Sequence, residues 1–127
     1  MDAGALVRGL YEAFQERDWD VASQLLRADA VVDLPATGER LSGRDEIMAF
    51  QAEYPEPWGT LSVLRAVADG DVAVAEVGVE APGGERFALA AFWTARGGLL
   101  EHGVEYWVDL GIDPPANRRW WRSGDQR

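Results

Sequence analysis

Three groups able to move a proton, Glu101, His102 and Glu105, lie within five residues of one another in the stretch Leu-Leu-Glu-His-Gly-Val-Glu-Tyr-Trp-Val-Asp that ends at Asp109. His102 is the only histidine of the chain, and imidazole is the side chain that titrates nearest neutral pH. A strand has period two, so Leu100, His102, Val104, Tyr106 and Val108 form one set of side chains and Glu101, Gly103, Glu105, Trp107 and Asp109 the other. Glu101 and Glu105 fall in the same set but about 13 Å apart at ~3.4 Å per residue, too far for a carboxylate pair. A lone carboxylate such as Glu105 gains acid-base character when it is carried into a dry interior, because desolvation raises its pKa toward neutrality.

Other chemistries are excluded by what the chain lacks. It has no cysteine, so disulfides, thiolate metal sites and cysteine nucleophiles are ruled out, and one histidine excludes a multi-histidine metal site. Asp69-Gly70-Asp71 is a short acidic turn without the rest of a twelve-residue calcium loop. Gly83-Gly84 and Gly97-Gly98 precede no helix, so neither is a phosphate loop, and no dinucleotide fingerprint is present. No metal and no cofactor is expected. The net charge of −10 disfavours a nucleic-acid partner and an anionic membrane surface. Between Leu110 and Arg127 four arginines stand against two aspartates, giving +2 and leaving −12 for the rest; this basic tail is expected either to fold back on the acidic body or to be solvated. No apolar run approaches the roughly 20 residues of a membrane span and no signal-peptide pattern opens the chain, so a cytoplasmic location is expected.

The elements that must position the hairpin strand are read in order along 127 residues, about the size of one domain. Asp2 caps a helix over 3–16 with Leu6, Leu10, Ala13 and Phe14 on one stripe. Asp18 caps a short second helix with Trp19 in its first turn. Residues 30–34 read as a strand that Pro35 and the Thr37-Gly38 turn end. Ser42 and Asp45 give a start signal for a third helix bearing Ile47, Phe50 and Tyr54, which Pro55 and Pro57 stop. The period then changes from 3.6 to 2: strands over 60–67, 72–80, 88–96 and 99–109 are separated by Asp69-Gly70, Pro82-Gly83-Gly84 and Gly97-Gly98, an antiparallel meander. Helices in front and a meander behind imply an α+β domain whose three N-terminal helices cover one face of a curved antiparallel sheet.

This order resembles the nuclear-transport-factor-2-like superfamily, in particular its SnoaL-like, polyketide cyclase-like bacterial members. The likeness rests on Leu10-Tyr11-Glu12-Ala13-Phe14 followed by Asp18-Trp19-Asp20, on Ala28-Asp29-Ala30-Val31-Val32 before Pro35, on Leu41-Ser42-Gly43-Arg44-Asp45-Glu46-Ile47 and on Glu105-Tyr106-Trp107. Pro115, Arg118 and Trp121 look like the tail of some members, which place a tryptophan where this chain has Asn117. The resemblance implies a cystatin-like α+β barrel, a cone closed by helices with a pocket open at one end, formed by a single domain over 1–127 with 110–127 as a tail packed on the sheet. It implies no single activity. Isomerases of this fold carry their basic aspartate where this chain has Leu34, a tyrosine that aligns with Leu10 and a second acid that aligns with Ala90, so a steroid-isomerase mechanism is not expected. SnoaL-type cyclases carry Glu-His-Trp after the glycine turn; here Glu101-His102-Gly103 matches with glycine in place of the tryptophan.

The family register implies that Gly103, Glu105 and Trp107 face the helices and that His102 faces outward. Glu105 is then the first candidate for catalysis and His102 the second, with Glu101 solvated at the cone mouth. Leu10, Phe14, Leu34, Phe50, Trp58, Phe92 and Trp107 are the expected walls for a small, largely apolar organic ligand, although aromatic residues at such spacings also serve as plain core. Two functions follow: a SnoaL-like small-molecule-binding or association domain, favoured here, or an enzyme of cyclase, isomerase or hydrolase type using Glu105 as acid or base. The same register turns Leu89, Ala91 and Trp93 outward beside Val104, Tyr106 and Val108, a patch expected to form a homodimer or to be covered by Trp120 and Trp121.

Overall fold

The computed structural model describes residues 1–53 and 59–114. Asp2 caps α1 (Ala3–Glu16) by accepting the Ala5 N–H at 2.8 Å, and Asp18 caps α2 (Trp19–Gln24) by accepting that of Val21 at 3.2 Å. The chain continues through β1 (Leu26–Leu34), β2 (Glu39–Ser42), α3 (Arg44–Ala52), β3 (Thr60–Asp69), β4 (Val72–Glu80), β5 (Arg86–Arg96) and β6 (Leu99–Asp109). The strand β2 was not expected. Ser42 pairs with Val31 at its end, which commits that residue to the sheet, and α3 starts from Gly43 with no side-chain cap.

The strands form one curved, unclosed sheet in the order β2-β1-β6-β5-β4-β3. Strands β3 to β6 are the antiparallel meander that the alternating pattern implies. At the other side β1 runs parallel to β6, so the sheet is mixed and not wholly antiparallel. The segment from β2 through α3 to β3 carries the chain back across the sheet, which lets two strands far apart in sequence run side by side.

The apolar stripe of α1 is wider than expected, because Val7 and Tyr11 are buried along with Leu6, Leu10, Ala13 and Phe14. It lies mainly against β3 and β4 and meets Ala73, Ala75, Val77, Leu89, Ala91 and Trp93 in one core. Each leucine so buried is worth ~1.5–3 kcal/mol.

One extra residue in β6 sets which side chains enter that core. Next to the Gly97-Gly98 turn, Arg96 pairs with Leu99 and Ala95 with Leu100, but Thr94 pairs with His102, so Glu101 is bulged out of the ladder. A bulge of this kind reverses every later position relative to the partner strand. Glu105 therefore stands opposite Ala91, Gly103 opposite Trp93 and Trp107 opposite Leu89. The expected faces of β5 are corrected accordingly: Leu89, Ala91 and Trp93 are buried on the concave side, while Ala88, Ala90 and Phe92 share the outer face with Val104, Tyr106 and Val108. Leu100, expected beside His102, is buried instead.

Residues 54–58, with Trp58 and the proline stop of α3, and the tail beyond 114, with Trp120 and Trp121, lie outside the described residues.

Candidate functional site

Among the described residues, Glu105 is the one acidic side chain buried in the core, at 4% exposure. It stands on β6 beneath α1, whose Tyr11 donates its hydroxyl hydrogen to Glu105 Oε2 at 2.6 Å. Trp93 on β5 donates its indole N–H to the Tyr11 oxygen at 2.9 Å. The result is a buried relay, indole to phenol to carboxylate, in which each donor polarises the next. Trp107, two residues on from Glu105 on the same face, donates to Oε1 at 3.4 Å. That length is at the weak limit of a hydrogen bond, so Oε1 is held less firmly than Oε2.

Desolvation pushes the Glu105 carboxyl above its ordinary range, and the hydrogen bonds from Tyr11 and Trp107 oppose that rise. Burial, and then the carboxylate charge beside it, push the Tyr11 hydroxyl well above its own. Tyr11 is thus held neutral as a donor, and Glu105 is the buried group whose proton affinity its surroundings raise. Among the described residues no cluster of three histidine, aspartate or glutamate side chains is placed to hold a metal ion.

Gly103 explains how the relay fits. A Cβ there would meet the Trp93 ring at 2.5 Å, so the indole lies directly over the glycine. The space that a side chain at Gly103 would take is filled by Trp93 from the neighbouring strand.

The remaining expected site residues divide. Leu10, Phe14 and Leu34 are buried core, with Phe14 edge-on to Tyr11 at 5.8 Å between ring centroids. Phe50 is half-buried on α3, against the core. Trp107 is 39% exposed and carries the relay to the surface. Phe92 is not a wall of the cone: it is 42% exposed on the outer face, edge-on to Tyr106 at 5.9 Å. Trp58 lies outside the described residues. Glu101 is not at the cone mouth either, since the bulge turns it to the outer face, where it pairs with Arg96 at 3.2 Å. His102 lies on that same outer face, with Nε2 2.8 Å from Asp33 Oδ2.

Tyr11 and Trp93 are the site residues that sequence reasoning missed. Tyr11 has a signal, since it follows Val7 by four residues and precedes Phe14 by three, which puts it on the helix face that is buried. Trp93 has no such signal, because its inward direction depends on the bulge at Glu101.

A profile of the SnoaL-like domain matches residues 7–102. No curated protein matches the chain significantly. Among solved structures, a candidate ketosteroid isomerase from Kribbella flavida DSM 17836 is 29% identical, with a TM-score of 0.86 over 98% of this chain and 90% of that one. An LEH-like epoxide hydrolase from M. tuberculosis is 18% identical, with a TM-score of 0.70 over 83% and 81% of the two chains. A candidate SnoaL-like polyketide cyclase from Shewanella denitrificans OS-217 is 16% identical, with a TM-score of 0.69 over 81% and 88%.

Proposed function

The chain belongs to the SnoaL-like domain family, and on that premise we propose that its cone binds a small, largely apolar organic molecule, with Trp107 as a wall and Glu105 as the main polar contact. The single observation that carries this reading is a buried carboxylate with one oxygen held tightly by Tyr11 and the other held weakly by a partly exposed indole. A ligand hydroxyl or N–H that replaces the Trp107 contact gains a charge-assisted hydrogen bond in a dry site, and its apolar body packs on the ring that has moved aside. The preferred ligand is therefore a hydrogen-bond donor on an apolar frame. Screening such molecules by NMR tests this: binders shift the Trp107 indole N–H signal in the wild type, and Trp107→Ala weakens them about tenfold. A panel in which no member perturbs that signal rejects the reading.

A second reading, catalysis, is favoured by the Tyr11 to Glu105 hydrogen bond. Glu105 takes a proton from an acidic carbon of a polyketide-like or terpenoid-like substrate and returns it to another atom of the same molecule, while Tyr11 steadies the carboxylate. No co-reactant is needed, and the side chain ends as it began. Glu105→Gln keeps ligand binding and loses turnover if Glu105 carries this step; unchanged turnover assigns the chemistry elsewhere.

We propose further that two copies pair through Ala88, Ala90, Phe92, Val104, Tyr106 and Val108 on the outer face. Phe92, Tyr106 and Val108 are large apolar side chains left exposed together on one sheet face, and such a face suits a two-fold contact. Among the described residues no helix is long and apolar enough to cross a membrane.

A further inference from the structure

Two polar side chains are buried among the described residues, Glu105 and Gln51. Glu105 has its donors in Tyr11 and Trp107. Gln51, 9% exposed, has no hydrogen-bond partner for its side-chain amide among the described residues.

The position of Gln51 follows from the helix that carries it. It comes four residues after Ile47, one turn of α3, and these two are the buried residues of that helix. Ile47 is part of the core, so the stripe they share is the inward one, and an apolar residue in place of Gln51 would simply have continued it. The helix lies on β1 and β2. On β1 the buried residues beneath it include Val32 and Leu34, and the parallel register that sets Val32 beside Gly103 and Asp33 beside Val104 brings Leu34 level with Glu105. Gln51 therefore reaches the concave side from above β1, and Glu105 rises into it from β6, the next strand.

The amide is not sealed in. Among the described residues, Arg44 Nε is the one side-chain nitrogen or oxygen that is both fully enclosed and unpartnered, so the unbonded amide of Gln51 keeps surface that a visiting molecule can reach. A polar group in this condition is matched by water or by a ligand, because leaving it unmatched costs its desolvation. An amide offers one acceptor oxygen and two N–H donors, and it carries no charge.

We propose that Gln51 is a second polar contact of the cone and that it sets the class of ligand: a neutral, largely apolar molecule with a hydroxyl for Glu105 and, further along its frame, a carbonyl or second hydroxyl for the Gln51 amide. The inference rests on the cone as the binding site and adds which molecules that site selects. A carbonyl accepts the amide N–H; a hydroxyl accepts it or donates to the amide oxygen. A charged group at this end is disfavoured, since Gln51 cannot neutralise it in a dry interior.

Two phenols with one carbon skeleton test this, para-butylphenol and para-hydroxybenzylacetone, in which a carbonyl replaces one methylene of the butyl chain. Their affinities for the full chain are read at neutral pH from the Trp107 indole N–H signal, in the wild type and in Gln51→Leu. The variant is expected to bind the ketone about tenfold more weakly, relative to the butyl compound, than the wild type does, the loss of one hydrogen bond in a dry site. In the wild type the Gln51 side-chain N–H signals move downfield with the ketone and not with the butyl compound. An unchanged ratio in Gln51→Leu, or Gln51 signals that ignore the ketone, overturns the proposal and leaves the cone as a binding site. If neither phenol moves the Trp107 signal of the wild type, both readings fall together. Gln51→Leu removes an unpartnered polar group from the interior, so it should unfold at the same temperature as the wild type or higher. Should it lose stability instead, the wild-type Gln51 signals alone decide.

Discussion

Gly103 and Trp93 face each other across the β5–β6 ladder, and the glycine has no side chain because the indole occupies that space, 2.5 Å from where a Cβ would stand. The exchange of bulk between two strands fixes the ring whose N–H holds Tyr11, and Tyr11 in turn holds Glu105. Gly103→Ala must push Trp93 aside. Overpacking of this kind costs ~1–3 kcal/mol, and denaturant unfolding should report that loss together with a changed near-ultraviolet dichroism. Trp93→Phe in the same chain should recover part of the loss, because residues in contact are not additive. Equal and additive losses would mean that the two positions do not share one space.

Tyr11→Phe separates packing from hydrogen bonding in the relay. The ring stays, but Trp93 loses its acceptor and Glu105 its shorter donor. Leaving such buried groups unpaired costs ~1–3 kcal/mol, so a destabilisation in that range is expected from urea unfolding at about neutral pH. The Glu105 carboxyl should also titrate higher than in the wild type, because a bond that favoured its charged form is gone; a carbon-13 NMR titration of the side chain reads this, and an unchanged midpoint would disconnect Tyr11 from the carboxylate.

Much of this could be read along the chain, and the parts that could not have one cause. Caps at Asp2 and Asp18, the meander from β3 to β6 and the inward direction of Glu105 follow from local spacing and the resemblance together. The faces of β5 do not, because they depend on a single bulged residue, Glu101. Counted from the glycine turn without it, Glu105 falls opposite Ala90 and Phe92 turns inward; with it, Ala91 takes that place and Trp93 enters the core. A bulge is a property of two paired strands, and no residue type in β6 announces it. The parallel pairing of β1 with β6 is hidden for a similar reason, since it joins strands separated by most of the chain. The Asp33, Arg40 and His102 cluster draws on three strands at once, one of which, β2, is too short to stand out as a pattern.

The outer face gives a prediction about assembly. Tyr106 and Phe92 stack edge to face, 45% and 42% exposed, with Val108 beside them. If two copies bury this patch, sedimentation equilibrium at tens of micromolar, a concentration that reveals ordinary interfaces, should return a dimer. Tyr106→Glu would place like charges against each other across a two-fold axis and should return a monomer with unchanged secondary structure. A wild-type monomer under those conditions would reject the dimer.

Glu105 and Asp33 should give opposite pH dependences of stability. Burial raises the Glu105 pKa above its ordinary value of 4.5, so below that value the carboxyl is neutral in both folded and unfolded chains and imposes no charge penalty. As pH rises from there through the folded value, the unfolded chain releases this proton more readily and stability falls, then levels off. Glu105→Gln, neutral throughout, should match the wild type at about pH 4 and unfold at a higher temperature at about pH 8. Asp33 is the reverse case. Its hydrogen bonds to Arg40 and then His102 hold its pKa well below the usual carboxylate range, so its contribution is present at neutral pH and fades as pH falls through the folded value. Asp33→Asn should therefore lower the midpoint at about pH 7, with the deficit shrinking in strong acid. Thermal unfolding of the three chains across that range checks both signs at once, and a Glu105→Gln chain less stable than wild type at about pH 8 would mean that the Tyr11 contact outweighs the cost of burying the charge.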